Sequence, residues 1–187
     1  MSLVELIARA DARGLAGSGL ACLDRCLPLL DGGDEMLRPL WATLADDARA
    51  GAGWATEVER VRDVLAGPGA SGEDESVLLA RRMLAAAPAE CSVAALRTWA
   101  DACSVASLRI HRLLDPATGA ALGDDVRHES GAGSQSPLVA AELRRQVTVL
   151  DALAGHGPAG LRRALEISTE GRRVLRAVVS RRARGRG

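Results

Sequence analysis

The chain has no Lys, Asn, Phe or Tyr, and Trp41, Trp54 and Trp99 are its only aromatic side chains. A core without large rings must be filled by many small Ala, Leu and Val contacts. Binding of single-stranded nucleic acid, which stacks bases on aromatic faces, has little to work with. All 24 basic residues are Arg, a pattern that follows from AT-poor codon usage and points to a high-GC bacterium such as an actinomycete. That bias explains Arg as well as selection for bidentate recognition does.

Four cysteines, at 22, 26, 91 and 103, show no CxxC pairing. Neither a zinc ribbon nor a secreted disulfide framework is indicated, and reduced thiols are expected. No window approaches the roughly 18 uninterrupted apolar residues of a membrane span, and Met1–Glu5 does not start a basic segment followed by an apolar stretch. A cytoplasmic protein with no membrane partner is expected. No phosphate loop, HExxH motif, nucleophile elbow or dinucleotide fingerprint occurs. The sequence therefore supports no enzymatic activity, catalytic residue, metal or cofactor.

What is present is helical periodicity from end to end, which predicts an all-α bundle. Helices are expected over about 3–13, 19–30, 37–49, 56–66 and 74–87, as short hairpins, and over about 92–114, 136–154 and 158–182, as a three-long-helix part. We read one domain over 1–187 with subregions 1–87 and 88–182 and a basic tail at 183–187. Thr56-Glu57-Val58-Glu59 has the form of a capping box. The stretch 67–76 reads as an exposed loop, and 115–135 as a long loop that is disordered or functional.

Projection at about 100° per residue groups Leu96, Trp99, Cys103, Ala106, Ile110, Leu113 and Leu114 on one face of the sixth segment. Ser104 falls outside that face and His111 at its edge beside Arg112, which reads as a boundary histidine rather than an acid–base group. In the last segment Gly171 falls within an apolar arc that includes Leu161, Ala164, Ile167 and Leu175, as expected of a close helix crossing. Cys22 and Cys26 lie four apart on a leucine-rich face. That spacing could serve a soft metal or a redox pair, and without further ligands nearby it favours buried structural thiols. In the loop, Asp124, Asp125, His128 and Glu129 read as solvated charge.

Two features carry the functional expectation. Glu142 and Gln146 fall within an arc otherwise made of Leu138, Val139, Leu143, Val149, Leu150 and Leu153. They mark a polar pocket between helices, the place where an Arg from the body pairs, or a face that stays half exposed. The net charge of zero conceals a polarity: residues 162–187 hold nine Arg against Glu166 and Glu170. Arg172, Arg173, Arg176, Arg181, Arg182, Arg184 and Arg186 are thus candidates to contact a partner or to cover the acidic body. The reading is a non-enzymatic interaction or regulatory protein. Another protein is its first candidate partner, nucleic acid its second, and self-association through an amphipathic helix is compatible with both.

Overall fold

The computed structural model describes residues 1–45, 53–65, 74–115, 136–155 and 157–185. Among them are eight α-helices and no strand: α1 (Leu3–Arg9), α2 (Ala12–Cys26), α3 (Arg38–Thr43), α4 (Trp54–Leu65), α5 (Glu75–Ala85), α6 (Val93–Leu114), α7 (Pro137–Gly155) and α8 (Gly157–Arg184). The chain is an all-α helical bundle. The segments 67–76 and 115–135 fall mostly outside the described residues, as do Asp124, Asp125, His128, Glu129, His156 and Arg186.

Short polar side chains start the helices. Ser2 forms a capping box with Glu5 at α1, Asp11 accepts from Gly14 N at 2.7 Å at α2, and Ser92 accepts from Ala95 N at 3.2 Å at α6. Each satisfies an amide the helix leaves free and contributes about 1 kcal/mol. Asp115, at the end of α6, holds the start of α7 by accepting from Ser136 Oγ and from Leu138 N.

Two boundaries differ from expectation for physical reasons. The segments 3–13 and 19–30 are redivided: the chain leaves helical geometry at Ala10, Asp11 caps, and α2 runs unbroken through Gly14, Gly17 and Gly19. Glycines usually weaken a helix. Here α2 is enclosed by α3, α5, α6, α7 and α8, every residue from Gly14 to Cys26 is buried, and packing overrides propensity. At Gly19 a Cβ would lie 2.6 Å from Trp99 Cε3, so the indole rests directly on the α2 backbone. The capping box at Thr56 does not form. α4 starts at Trp54, after Gly53 with φ 83°, and Glu57 N bonds Gly53 O at 2.9 Å. Drawing Trp54 fully inside decides that start.

Three indoles anchor the apolar core. Trp54 and Trp99 meet edge to face with centroids 5.8 Å apart. Trp54 Nε1 donates to Pro88 O at 2.8 Å, Trp99 Nε1 to Met83 O at 2.9 Å and Trp41 Nε1 to Asp24 Oδ2 at 3.0 Å. Each ring is buried without stranding its N–H. Arg62 on α4 donates to the carbonyls of Ala85 and Ala87 at the end of α5, where the helix dipole favours a cation.

Candidate functional site

The centre of the bundle is polar. Arg25 projects from α2 toward Glu142 on α7, and both side chains are fully buried. Arg25 Nε donates to Glu142 Oε2 at 2.9 Å and Nη2 to Oε1 at 2.7 Å, a two-pronged pair. Ser107 Oγ from α6 donates to Oε1 at 2.8 Å, and Gln146 Nε2, one turn along α7, at 3.0 Å. Gln146 is held in turn by Ser104, whose Oγ donates to Oε1 at 2.6 Å. Glu142 and Gln146, singled out by the helical projection, are thus brought together with an Arg from the body.

His111 corrects the projection. It is buried, not at a wet boundary, and so is Ser104. α6 is pressed between α2 and α5 on one side and α7 on the other, which extends its covered face to Ser104, Ser107 and His111. The ring Nδ1 lies 2.7 Å from Ser107 O, a carbonyl that can only accept, so Nδ1 carries the proton. Nε2 then faces Glu142 Oε2 at 3.5 Å.

These surroundings fix the charge states. Burial pulls Glu142 upward, but the Arg25 guanidinium, with His111 and the donors around it, outweighs burial and holds the carboxyl at about 2. Burial lowers His111, helped by Arg25 and Arg145 and opposed by Glu142. Cys22 is pushed up to about 12 by burial, and burial also raises Cys26 and Cys103. Cys22 Sγ accepts from Arg25 Nη2 at 3.4 Å, and Cys26 Sγ lies 3.8 Å from Ser107 Oγ. Protonated, buried thiols are poor nucleophiles and poor metal ligands. A carboxylate already saturated with donors is an equally poor general base. Through Glu142 the cluster ties α2, α6 and α7 to one another.

A second ionic network lies on the other side of α2. Asp24, also buried, receives Trp41 Nε1 and Arg172 Nη1. Burial raises the Asp24 carboxyl despite the opposing pull of Arg172 and Trp41. Arg176 Nη2 donates to Asp34 Oδ1 at 2.5 Å, a bond that lowers the Asp34 carboxyl. Arg182 donates to Leu113 O at 2.8 Å and lies 3.6 Å from Asp74. Three of the candidate arginines therefore contact the chain's own body, and Arg172 is turned inward. Arg173, Arg181 and Arg184 are exposed with no ion pair among the described residues.

The surface offers one feature absent from the sequence expectations. Val105, Leu108 and Arg112 of α6 and Val139 and Leu143 of α7 line an open groove of about 540 Å³. Val105 is 68 % exposed there although the opposite face of α6 is core. Arg109, paired with Glu75, stands beside it. Among the described residues no three His, Cys, Asp or Glu side chains converge as metal ligands, and no helix is long and apolar enough to cross a membrane.

Sequence reasoning missed Arg25 and Asp24, though a signal existed. They are adjacent charges on a segment otherwise apolar on every face, and Arg25 falls between Cys22 and Cys26, where any charge needs a partner. No protein-family model matches this chain, and no curated protein or solved structure shows significant similarity to it.

Proposed function

We propose that this is a non-enzymatic, cytoplasmic interaction or regulatory protein whose α6/α7 groove receives an acidic amphipathic helix from a partner protein. The observation that carries the reading is the groove: an apolar floor with an exposed Val105, flanked by Arg109 and Arg112. A helix presenting apolar side chains one turn apart, with Asp or Glu beside them, fits both its shape and its charge. The polar core lends support, because Glu142 is committed to Arg25, Ser107 and Gln146 and burial keeps its thiols and His111 neutral.

A second reading rests on Arg173, Arg181 and Arg184, whose exposed guanidiniums suit phosphate backbones. One experiment separates the two. Wild-type protein, a Val105→Glu/Leu143→Glu variant and a truncation after Ser180 are used side by side to capture proteins from the source bacterium, and each is titrated against a labelled random DNA duplex. A protein retained by wild type and truncation but lost from the groove variant supports docking. Salt-sensitive duplex binding that disappears on truncation, with no groove-dependent capture, replaces it with the nucleic-acid reading. A dimer that dissociates only in the groove variant replaces the partner with a second copy.

A further inference from the structure

Arg25 and Arg145 meet over Gly171. A Cβ built on Gly171 would lie 2.4 Å from Arg25 Cδ and 3.2 Å from Arg145 Cδ. The two side chains, one from α2 and one from α7, thus run side by side across α8 at a position where α8 has no side chain. Gly171 itself is buried.

Arg25 engages Glu142 through Nε and Nη2 only. Its Nη1, on the opposite edge of the guanidinium, is buried with no acceptor among the described residues. Arg145 Nη1 is in the same condition, and Arg145 makes no ion pair among the described residues. The charges at this junction leave a remainder. Glu142 answers Arg25 and Asp24 answers Arg172, while Arg145 has no counter-charge among the described residues. Both guanidiniums also act on His111, which helps to keep that ring neutral.

We infer that the Arg25–Arg145–Gly171 junction binds a small oxyanion of the phosphate class. Buried N–H groups need acceptors. A water could accept from both arginines but would leave the Arg145 charge unanswered. A tetrahedral oxyanion supplies several acceptor oxygens together with the missing negative charge, and guanidiniums approaching from different helices match it. Arg145 is partly exposed, which gives the ion a way in. The bound ion joins α2 and α7 over α8, where the missing side chain of Gly171 lets the stems of Arg25 and Arg145 lie against the helix backbone. This site is independent of the proposed groove partner.

The test is the melting temperature of the full chain titrated with sodium phosphate at constant ionic strength, balanced with sodium chloride. Wild type should rise saturably, by about 4 °C at ten times the midpoint concentration. Arg145→Met should fold, since Arg145 has no hydrogen-bonded side-chain partner to lose among the described residues, and should show no saturable rise. Arg145→Lys, which keeps the charge without the fork, should shift the midpoint at least tenfold upward. Arg173→Met, which removes an exposed arginine of α8, should respond as wild type does. Calorimetric titration of wild type with phosphate should give one site per chain. An equal rise in Arg145→Met would mean a general salting effect and would overturn the site, as would a wild-type curve identical in phosphate and chloride, the outcome for a junction that holds only water.

Discussion

Replacing Arg25 with Met keeps much of the side-chain volume and removes the charge that holds Glu142 ionised in the core. Glu142 sits at about 2 against an ordinary 4.5. At about 1.4 kcal/mol per pH unit this is a differential interaction of about 3 kcal/mol. Breaking one side of a buried pair costs about 3–5 kcal/mol in general, so both routes give a similar loss at pH 7. Ser107 and Gln146 still donate to the carboxylate, which places the expected loss near the lower end. The pH dependence follows with a definite sign. In wild type the depressed Glu142 contributes stability that is present above pH 4.5 and lost as pH falls toward 2. Without Arg25, burial dominates, the folded carboxyl rises above its unfolded value, and the variant loses stability as pH rises through that raised value. The gap between the two proteins should therefore narrow on acidification from pH 7 to 4. Adding Glu142→Leu to Arg25→Met removes the stranded charge and should recover stability to within about 1 kcal/mol of wild type. Urea unfolding followed by far-ultraviolet circular dichroism, with equal m-values for the three proteins, provides the measurement. A single-variant loss below about 1 kcal/mol, or a double variant no better than Arg25→Met, would refute the argument that the pair is a coupled buried unit.

His111, lowered by burial, is neutral in the folded chain, so its contribution is present above about pH 6.5 and is lost below as the unfolded ring takes up a proton. Urea midpoints of wild type and His111→Gln should converge between pH 7 and pH 5, and parallel curves would remove His111 from the account. Gly171→Ala gains about 1 kcal/mol of helix propensity but places Cβ 2.4 Å from Arg25 Cδ, displacing the buried pair. A net loss of about 2 kcal/mol is expected, against near neutrality for Gly155→Ala, where a Cβ meets nothing within 4 Å; an unchanged or stabilised Gly171→Ala would contradict the close crossing. Arg172→Ala strands the buried Asp24 and should cost about 3 kcal/mol. Arg176→Ala loses a half-exposed pair and should cost under about 1 kcal/mol, vanishing at high salt; equal losses would mean the two ion pairs do not differ in burial as described.

How far the sequence led depended on which signal each element carried. The long helices α6, α7 and α8 were legible to within about two residues, because their apolar positions recur at the helical period and Ser92 and Ser136-Pro137 start two of them. α2 was not, because an enclosed helix has no wet face and so no period, and its glycines read as breaks. Within the site, Glu142 and Gln146 betrayed themselves as polar residues on an apolar arc. His111 and Ser104 did not, because a single-helix projection knows nothing of a second neighbour widening the buried face. The pairing of Arg25 with Glu142 joins residues 117 positions apart, and no periodicity carries that information. The groove at Val105 was invisible for a related reason: one exposed valine is unremarkable until α7 is placed beside it.

The basic end of the chain is less free than its composition suggests, and that sets a number on the nucleic-acid reading. Arg172 is bound to Asp24 inside the bundle, Arg176 to Asp34, and Arg182 to Leu113 O and Asp74. Recruiting Arg172 to a phosphate would strand the buried Asp24, so α8 cannot offer that residue without loosening its own seat. Toward its N-terminal half the exposed side mixes Arg162 and Arg173 with Glu166 and Glu170, and acids repel a phosphate backbone. Among the described residues Arg173, Arg181 and Arg184 remain, within about 80° of one another around α8 at 100° per residue. Three phosphate contacts on duplex DNA give a slope of log affinity against log salt of about −3. A slope well steeper than this would require the docked arginines to leave the body, and binding should then be accompanied by a loss of α8 protection in hydrogen exchange. Binding with a slope near zero would mean that phosphates are not what the exposed arginines contact, which leaves an acidic protein surface as the partner that suits them.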